Sequence, residues 1–368
     1  MTNATIYQLA VAGVKQLIPY KPGKPMDELE RELGLTAIIK LASNENPLGP
    51  SSKALDAMQK ALPELALYPD GSGFKLKQAL ASRYAVNAEQ ITLGNGSNEL
   101  LELIARAFLT PELESVYSQH AFAVYPLVTQ AIGATGVVVP AVNYGHDLAA
   151  MRQAITAKTR LVFIANPNNP TGTLLSQTEI EAFIASLPDT VVCVLDEAYF
   201  EFAGRTAVED SVAWLPKFPN LIITRTFSKA YGLAGLRIGY SLSSPEIADI
   251  LNRVRQPFNN NSLALVAAEA ALTDAEHLQR TVANNTSGMQ QLTDGFKTLG
   301  LEWIPSAGNF VTVDLKRDAL PIYDALLRLG VIVRPVANYQ LPQHLRISIG
   351  TSTENARFLQ ALADVLAA

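Results

Sequence analysis

Short apolar runs alternate with amphipathic segments through the middle of the chain. The run from Leu161 to Ala165 is apolar at every position, which is typical of a strand covered on both faces. Similar runs follow at 191–195 and 221–224, and the segment between the first two contains the helix-capping pattern Ser176-Gln177-Thr178-Glu179. Strands that alternate with helices in this way predict an α/β fold with a mostly parallel sheet and right-handed crossovers.

The pattern changes after about residue 255. A long helical stretch begins near Leu263, with breaks expected near Thr273 and at Asn284-Asn285. The segment from Phe310 to Leu315 then alternates, which predicts a strand with one polar or solvated face. We therefore expect an N-terminal arm with part of a small domain at 1–42, a large domain at 43–258 and a small α+β domain at 259–368.

Polar residues follow the predicted strands where each strand ends. They are Asn169, Asp196, Tyr199 and Lys229. Carboxyl ends of parallel strands meet at one edge of a sheet, and ligands bind there. Each residue alone could be a turn residue, a cap or a core side chain, but their shared position favours a common site.

The segment from Thr226 to Arg237 combines a lysine, hydroxyls, glycines and an arginine between two buried runs. A lysine rarely lies buried without a partner. Desolvation lowers the pKa of a lysine and makes it a usable amine nucleophile, whereas an arginine stays charged and suits a phosphate or carboxylate. We expect Lys229 to bind an aldehyde cofactor and Arg237 to bind the phosphate of that cofactor.

A glycine turn joins another predicted strand to a helix at Gly94-Asn95-Gly96. The helix start would present free backbone N–H groups to a phosphate. The turn is not a dinucleotide fingerprint, because Glu99 stands where the third glycine should be. Such a turn is also common where it has only a structural role and binds no phosphate.

Composition narrows the classes of function. The net charge of −5 argues against nucleic acid as the main partner. The single Cys193 lies in a buried-strand pattern, so we expect a core residue and no disulfide within the monomer. The four histidines are scattered without the spacing of metal ligands, which argues against a histidine-based metal site. Without a leader-like or membrane-spanning apolar run, we expect a cytoplasmic protein that uses neither a membrane nor a metal.

Pyridoxal phosphate needs a lysine for its aldehyde, a carboxylate beside its ring nitrogen and donors around its phosphate. Lys229 suits the first role and Asp196 the second, and Tyr199 could bond the ring hydroxyl. The candidate phosphate donors lie at the predicted helix start and in the lysine loop: Ser97, Asn98, Thr226, Ser228 and Arg237. Asp196 could alone be a cap and Tyr199 a core aromatic, but the set favours this cofactor.

Four segments resemble signatures of fold type I, class II aminotransferases that use pyridoxal phosphate. They are Asn168-Asn169-Pro170-Thr171-Gly172, Asp196-Glu197-Ala198-Tyr199, Thr226-Phe227-Ser228-Lys229 and Gly235-Leu236-Arg237. The resemblance covers nearly the whole chain. It implies a mostly parallel seven-stranded sheet in a large cofactor-binding domain, with a smaller α+β domain formed by both chain ends. It also implies a homodimer with shared active sites, in which Tyr68 reaches the phosphate in the neighbouring subunit.

The resemblance also assigns roles to the cofactor residues. Lys229 would form the Schiff base, and Asp196 would partner the ring nitrogen. Asn169 and Tyr199 would bond the ring hydroxyl. Phe122 would stack on the ring, where related enzymes often carry tyrosine.

A narrower resemblance, to histidinol-phosphate aminotransferases, concerns the substrate. Its segments are Ser43-Asn44-Glu45-Asn46-Pro47, Tyr68-Pro69-Asp70-Gly71, Val333-Arg334-Pro335 and Leu345-Arg346-Ile347-Ser348-Ile349-Gly350. By this resemblance Arg346 binds the α-carboxylate of the amino-acid donor and also the phosphate of histidinol phosphate. Arg334, with Tyr20 and Asn44, would complete the anion site. Arg334 could instead pair with a surface carboxylate, which would contribute little.

The resemblance implies ping-pong transamination between L-histidinol phosphate and 2-oxoglutarate, giving imidazole-acetol phosphate and L-glutamate. An aromatic amino-acid aminotransferase and a phosphothreonine-type decarboxylase would keep the same lysine site and differ in substrate anchoring. A transcription regulator with an aminotransferase-like domain is a third alternative. It needs a DNA-binding module, which the acidic balance and the short N-terminal segment do not provide.

Overall fold

A central sheet organises the computed structural model, which describes residues 6–19, 23–204 and 210–367. The strands are β1 (Ile39–Lys40), β2 (Ile91–Gly94), β3 (Glu114–Ser118), β4 (Thr135–Val139), β5 (Thr159–Ala165), β6 (Val192–Asp196), β7 (Leu221–Thr226), β8 (Gly239–Leu242), β9 (Glu302–Ile304), β10 (Phe310–Asp314), β11 (Val331–Ile332), β12 (Arg334–Val336) and β13 (Leu341–Ser348). The helices are α1 (Ile6–Leu9), α2 (Ala12–Lys15), α3 (Met26–Leu33), α4 (Ser52–Ala61), α5 (Phe74–Tyr84), α6 (Ser97–Phe108), α7 (Val124–Ile132), α8 (Leu148–Gln153), α9 (Gln177–Ser186), α10 (Pro245–Val254), α11 (Ser262–Leu272), α12 (Ala275–Thr298), α13 (Ala319–Arg328) and α14 (Ser352–Ala367).

The central sheet has seven strands in the order β2-β8-β7-β6-β5-β3-β4. Strand β8 runs antiparallel to both of its neighbours, and the other strands run parallel to one another. This confirms the α/β fold with a mostly parallel seven-stranded sheet. Thr226 pairs with Gly239 across β7 and β8, so the loop that carries Lys229 is closed at its base.

Helices cover both faces of the sheet, which explains the continuous apolar runs. Phe163 on β5 belongs to the buried cluster that includes Leu101 and Ile104 of α6, whereas the next residue, Ile164, belongs to the cluster on the opposite face that includes Leu80 of α5. A fully buried side chain of this kind contributes about 1.5–3 kcal/mol to the free energy of unfolding. Cys193 is buried among these side chains, as expected.

The smaller part of the fold is built from both ends of the chain. Strands β12, β13, β10 and β9 form an antiparallel sheet, and β1 pairs in parallel with β11. This confirms that an N-terminal strand joins the small α+β domain. Ala264, Leu265 and Ala268 of α11 pack into the core beneath the central sheet. The domain boundaries expected at 42/43 and 258/259 stay predictions.

One face of β10 is polar, as expected, but it is not solvated at Thr312, which is 0% exposed and donates a hydrogen bond to the carbonyl oxygen of Pro170 at 2.6 Å. One expectation for the C-terminal part is wrong. Helix α12 continues through Asn284 and Asn285, whose side-chain amides donate to the carbonyls of Gly350 and Gly308. The expected break near Thr273 is confirmed, because this residue separates α11 from α12.

Candidate active site

A cavity of about 300 Å³ lies where the carboxyl ends of β5, β6 and β7 meet the start of α6 and the small domain. Its wall brings together residues that are far apart in the chain. The predicted site residues in that wall are Asn44, Ser97, Asn98, Phe122, Asn169, Asp196, Tyr199, Thr226, Ser228, Lys229, Arg237, Arg334 and Arg346. Tyr20 lies outside the described residues. Tyr68 lies outside the cavity of its own chain and stacks on Phe258, with ring centroids 4.9 Å apart.

Lys229 extends from the loop after β7 towards the loop after β1. Its Nζ donates a hydrogen bond to the carbonyl oxygen of Ser43 at 2.8 Å. Burial, together with the nearby positive charge of Arg346, lowers the pKa of Lys229 to about 7. A substantial fraction of this amine is therefore neutral near pH 7, as a nucleophile or proton acceptor must be.

Asp196 ends β6, and two hydroxyl groups hold its carboxylate. Tyr125 donates to Oδ2 at 2.8 Å, and Thr224 donates to Oδ1 at 3.1 Å. Burial raises the pKa of Asp196, whereas these two hydrogen bonds lower it. A cationic group beside the carboxylate would offset the cost of its desolvation, as a protonated ring nitrogen does.

Arg237 lies against the start of α6. The helix begins at Ser97 after Gly96, which has a φ of +78°. A Cβ at Gly96 would lie 2.3 Å from Nη2 of Arg237, and one at Gly239 would lie 2.6 Å from the backbone nitrogen of Ser97. Glycine at both positions therefore lets the guanidinium and the helix start approach each other.

This approach places like charges together, because a helix N-terminus carries a partial positive charge. An anion between Arg237 and the first N–H groups of α6 would reverse that repulsion into attraction. Thr226 and Ser228 complete the wall beside it, and Arg237 Nη1 donates to Ser228 Oγ at 3.4 Å. The arrangement fits the phosphate group of a cofactor.

The other end of the cavity carries the predicted substrate residues. Arg346 donates from Nη1 to Oδ1 of Asn169 at 2.6 Å and from Nη2 to the carbonyl oxygen of Ala42 at 2.7 Å. Asn44 Nδ2 donates to the hydroxyl oxygen of Tyr199 at 2.9 Å, and burial raises the pKa of Tyr199 to about 12. Tyr199 is therefore protonated at neutral pH.

Basic side chains dominate the charge of this cavity. Arg334, Arg346, Arg237 and Lys229 line it, together with the carboxylate of Asp196. A ligand with separate anionic groups at its two ends would suit this wall. In the part of the chain that the structure describes, no group of three or more His, Cys, Asp or Glu side chains could hold a metal ion.

Two residues that orient Asp196 were missed by sequence reasoning. Tyr125 lies fully buried in α7, and its ring stacks on Phe163 with centroids 4.8 Å apart. Thr224 lies inside β7. Both follow an ordinary core pattern in the sequence, and only their pairing with Asp196 in the folded chain reveals their role.

Comparisons with known proteins agree with this geometry. Residues 36–362 match the family described as aminotransferase class I and II. Histidinol-phosphate aminotransferase 2 from Pseudomonas fluorescens is 61% identical over 361 residues, which cover 98% of each chain. Histidinol-phosphate aminotransferase 1 from Nitrosococcus oceani is 58% identical over 366 residues, which cover 100% of this chain and 99% of that one.

A solved structure extends the similarity to three dimensions. The crystal structure of histidinol-phosphate aminotransferase from Sinorhizobium meliloti, in complex with pyridoxal-5'-phosphate, matches with a TM-score of 0.90 and 33% identity. The match covers 97% of each chain, so it includes both the central sheet and the small domain. Among the residues described here, no helix is long and apolar enough to cross a membrane.

Proposed function

Because the chain belongs to the class I and II aminotransferase family, we propose that it transfers the amino group of L-histidinol phosphate to 2-oxoglutarate with pyridoxal phosphate as cofactor. The products are imidazole-acetol phosphate and L-glutamate. One observation carries the proposal: Lys229, Asp196 and the pair of Arg237 and Ser97 meet in one cavity, with two further arginines at its other end. The names of the relatives support this choice of substrate.

Pyridoxal phosphate supplies an aldehyde that condenses with amines and a ring that accepts electrons from the substrate Cα. Lys229 provides the amine that holds the cofactor between reactions. With a substrate amine in its place, Lys229 would accept the proton of the substrate Cα and later donate a proton as an acid. A pKa of about 7 suits both steps, because the group is then close to half-protonated at neutral pH.

The remaining cofactor residues hold and orient the ring. Asp196, fixed by Tyr125 and Thr224, would keep the ring nitrogen protonated. Tyr199 and Asn169 would bond the ring hydroxyl, and Phe122 would pack on the ring. The candidate phosphate donors are the cavity residues Ser97, Asn98, Thr226, Ser228 and Arg237.

Ping-pong transamination requires one anion site to accept two substrates in turn. Arg346 binds the α-carboxylate of glutamate or 2-oxoglutarate and the phosphate of histidinol phosphate, assisted by Arg334, Asn44 and Tyr20. The guanidinium planes suit this exchange, because both carboxylate and phosphate accept paired hydrogen bonds from arginine. Arg334 and Arg346 both line the described cavity, which supports this assignment.

We further propose a homodimer in the cytoplasm. Tyr68 is 83% exposed in the single chain, and large apolar side chains that neighbour it in the sequence or stack on it are also exposed. They are Leu55, Leu62, Leu65, Leu67, Phe74 and Phe258. Such a concentration marks an interaction surface, and a two-fold pair of identical chains is the commonest soluble assembly. Tyr68 would then reach the cofactor phosphate in the partner.

Separate half-reactions test the proposed substrate. Histidinol phosphate, phenylalanine and phosphothreonine are added singly to the purified protein, and the absorbance of the lysine-bound cofactor is followed while the products are identified. We expect histidinol phosphate to be consumed fastest, with imidazole-acetol phosphate as its product. Faster consumption of phenylalanine would identify an aromatic aminotransferase instead, and release of carbon dioxide from phosphothreonine would identify a decarboxylase.

A further inference from the structure

A buried charge cluster lies on the opposite face of the sheet from the cavity. Arg225 is 1% exposed and Glu197 is 0% exposed. Arg225 donates from Nε and Nη2 to one carboxylate oxygen of Glu197, at 3.0 and 2.6 Å, and from Nη2 to Asp210 at 2.7 Å. The guanidinium also lies 3.6 Å from the ring centroid of Phe200.

Strand geometry explains why the cluster is hidden from the cavity. Successive side chains of a strand point to opposite faces of the sheet. Thr224 bonds Asp196 and Thr226 lines the cavity, so Arg225 between them points away. Glu197 directly follows Asp196 and points away for the same reason.

Stability alone gives little reason for this ion pair. Burying two charges carries a large desolvation penalty, and well-packed apolar residues of similar volume often replace a buried pair without loss. The position of the pair is more informative. It joins the carboxyl ends of β6 and β7, directly behind the residue that faces the ring nitrogen and the residue beside the phosphate.

We propose that Arg225 and Glu197 are positioning residues that hold these two strand ends together, so that Asp196 and Thr226 keep their places against the cofactor. The inference rests on the proposed function, since it requires that the cavity bind pyridoxal phosphate. The ion pair then acts through the backbone. Glu197 restrains the peptide bond that follows Asp196, and Arg225 restrains the peptide bonds that join it to Thr224 and Thr226. A small shift there misplaces both contacts at once.

The test compares cofactor binding by apo-protein variants. In Arg225→Met/Glu197→Leu, no charge of the pair is left buried, and Asp210, which loses its contact with Arg225, has a side chain that is 19% exposed to water. We expect the dissociation constant for pyridoxal phosphate to rise about tenfold or more, because misplacement by about 1 Å at a site weakens function strongly. We also expect a shifted pH midpoint in the visible absorbance of the bound cofactor, because Asp196 is misaligned. The thermal midpoint of the apo-protein should stay within about 4 °C of wild type.

Matched variants separate positioning from general structure. Thr159→Val removes a buried hydroxyl that accepts a hydrogen bond from the backbone N–H of Thr156 at 2.9 Å, at the amino end of β5 and away from the cavity. This variant should leave the cofactor constant and the absorbance midpoint unchanged. Arg225→Lys keeps a positive charge beside Glu197, whereas Arg225→Met does not. The affinity of Arg225→Lys for pyridoxal phosphate should therefore lie between those of wild type and Arg225→Met. If the double variant does not fold, Glu197→Met removes the carboxylate with little change in side-chain length, and Asp210 still balances the charge of Arg225.

Two outcomes overturn the proposal. A folded double variant, or Glu197→Met in its place, that binds the cofactor with wild-type affinity and absorbance midpoint shows that the pair positions nothing. An equal effect from Thr159→Val shows that the loss of any buried polar group has the same result. Failure of the wild-type protein to bind pyridoxal phosphate would instead refute the proposed function, so the two failures are distinguishable.

Discussion

The chemistry of Lys229 is set by its surroundings and not by the residue type alone. An ordinary lysine, with a pKa of 10.5, is almost entirely protonated near neutral pH. Burial in the cavity wall and the charge of Arg346 make the neutral amine accessible. The same wall supplies a carbonyl acceptor, that of Ser43, so the amine has a defined direction before any cofactor arrives.

This lowered pKa predicts the pH dependence of cofactor capture. The neutral amine attacks an aldehyde, so the capture rate should rise as pH passes through the lysine pKa of about 7 and then level off by about pH 8. Stopped-flow absorbance of apo-protein mixed with pyridoxal phosphate measures this rate across pH. A rate that keeps rising about tenfold per pH unit up to about pH 9 would show a normal lysine pKa.

At the scale of elements, the start of α6 lies close to the loop that carries Lys229 and Arg237. Gly96 and Gly239 remove the side chains that would keep Arg237 and Ser97 apart. The strand–turn–helix pattern predicted the helix start correctly, because free N–H groups and a glycine turn are local features. The contact between that turn and Arg237 is long-range and could not be read from the pattern.

Gly96→Ala tests this approach. The new Cβ would overlap Arg237, and alanine would also strain a backbone with positive φ. We expect cofactor affinity to fall at least tenfold, as the guanidinium is displaced from the phosphate position. Gly34→Ala is the matched control, because it carries the same kind of positive φ, +68°, with nothing within 4 Å of the new Cβ.

Both variants should lose a similar free energy of unfolding, on the order of 1 kcal/mol, from the strained backbone. Equilibrium titration with pyridoxal phosphate and urea denaturation of the apo-proteins give the two quantities separately. Equal cofactor affinity in the two variants would mean that Arg237 does not depend on the space left by Gly96.

Sequence reasoning succeeded where the signal was periodic or local. It predicted the α/β class, the strands that lead to Asp196 and to the Lys229 loop, and the capping box at Ser176, all of which the structure contains. It failed where distant segments pack together. The alternation around Thr312 left its face either polar or solvated, and only the folded chain shows that the loop after β5 covers this residue. Tyr125 reads as a core aromatic, although its hydroxyl also bonds Asp196.

At the scale of the whole molecule, the site depends on both domains and, by our proposal, on a second chain. Arg334 and Arg346 come from the small domain, Lys229 and Asp196 from the large one. Tyr68 faces outward from its own chain. An active site assembled in this way can be repaired by mixing chains with different defects.

Lys229→Ala and Tyr68→Ala should complement each other. In a dimer that contains one chain of each type, one site has both defects and the other has an intact lysine and an intact tyrosine. Random pairing of equal amounts of the two chains should give mixed dimers as half of all dimers, each with one intact site. About a quarter of the wild-type number of active sites should therefore be restored. Transamination activity after unfolding and refolding the variants together measures this recovery.

Each variant refolded alone is the control, and sedimentation confirms that the dimers form. Lys229→Ala alone should bind the cofactor without a covalent link and turn over negligibly. Activity in the mixture equal to the mean of the separate preparations would mean that Tyr68 serves no site in the partner.

The hydrogen bonds of Arg346 have an entropic consequence for substrate binding. A free arginine side chain loses up to about 2 kcal/mol of rotamer freedom when it is fixed in one conformation. Here Asn169 and the carbonyl of Ala42 already fix it, so that loss occurs when the chain folds. An incoming carboxylate or phosphate meets a guanidinium that is already ordered, and more of the new attraction remains as affinity.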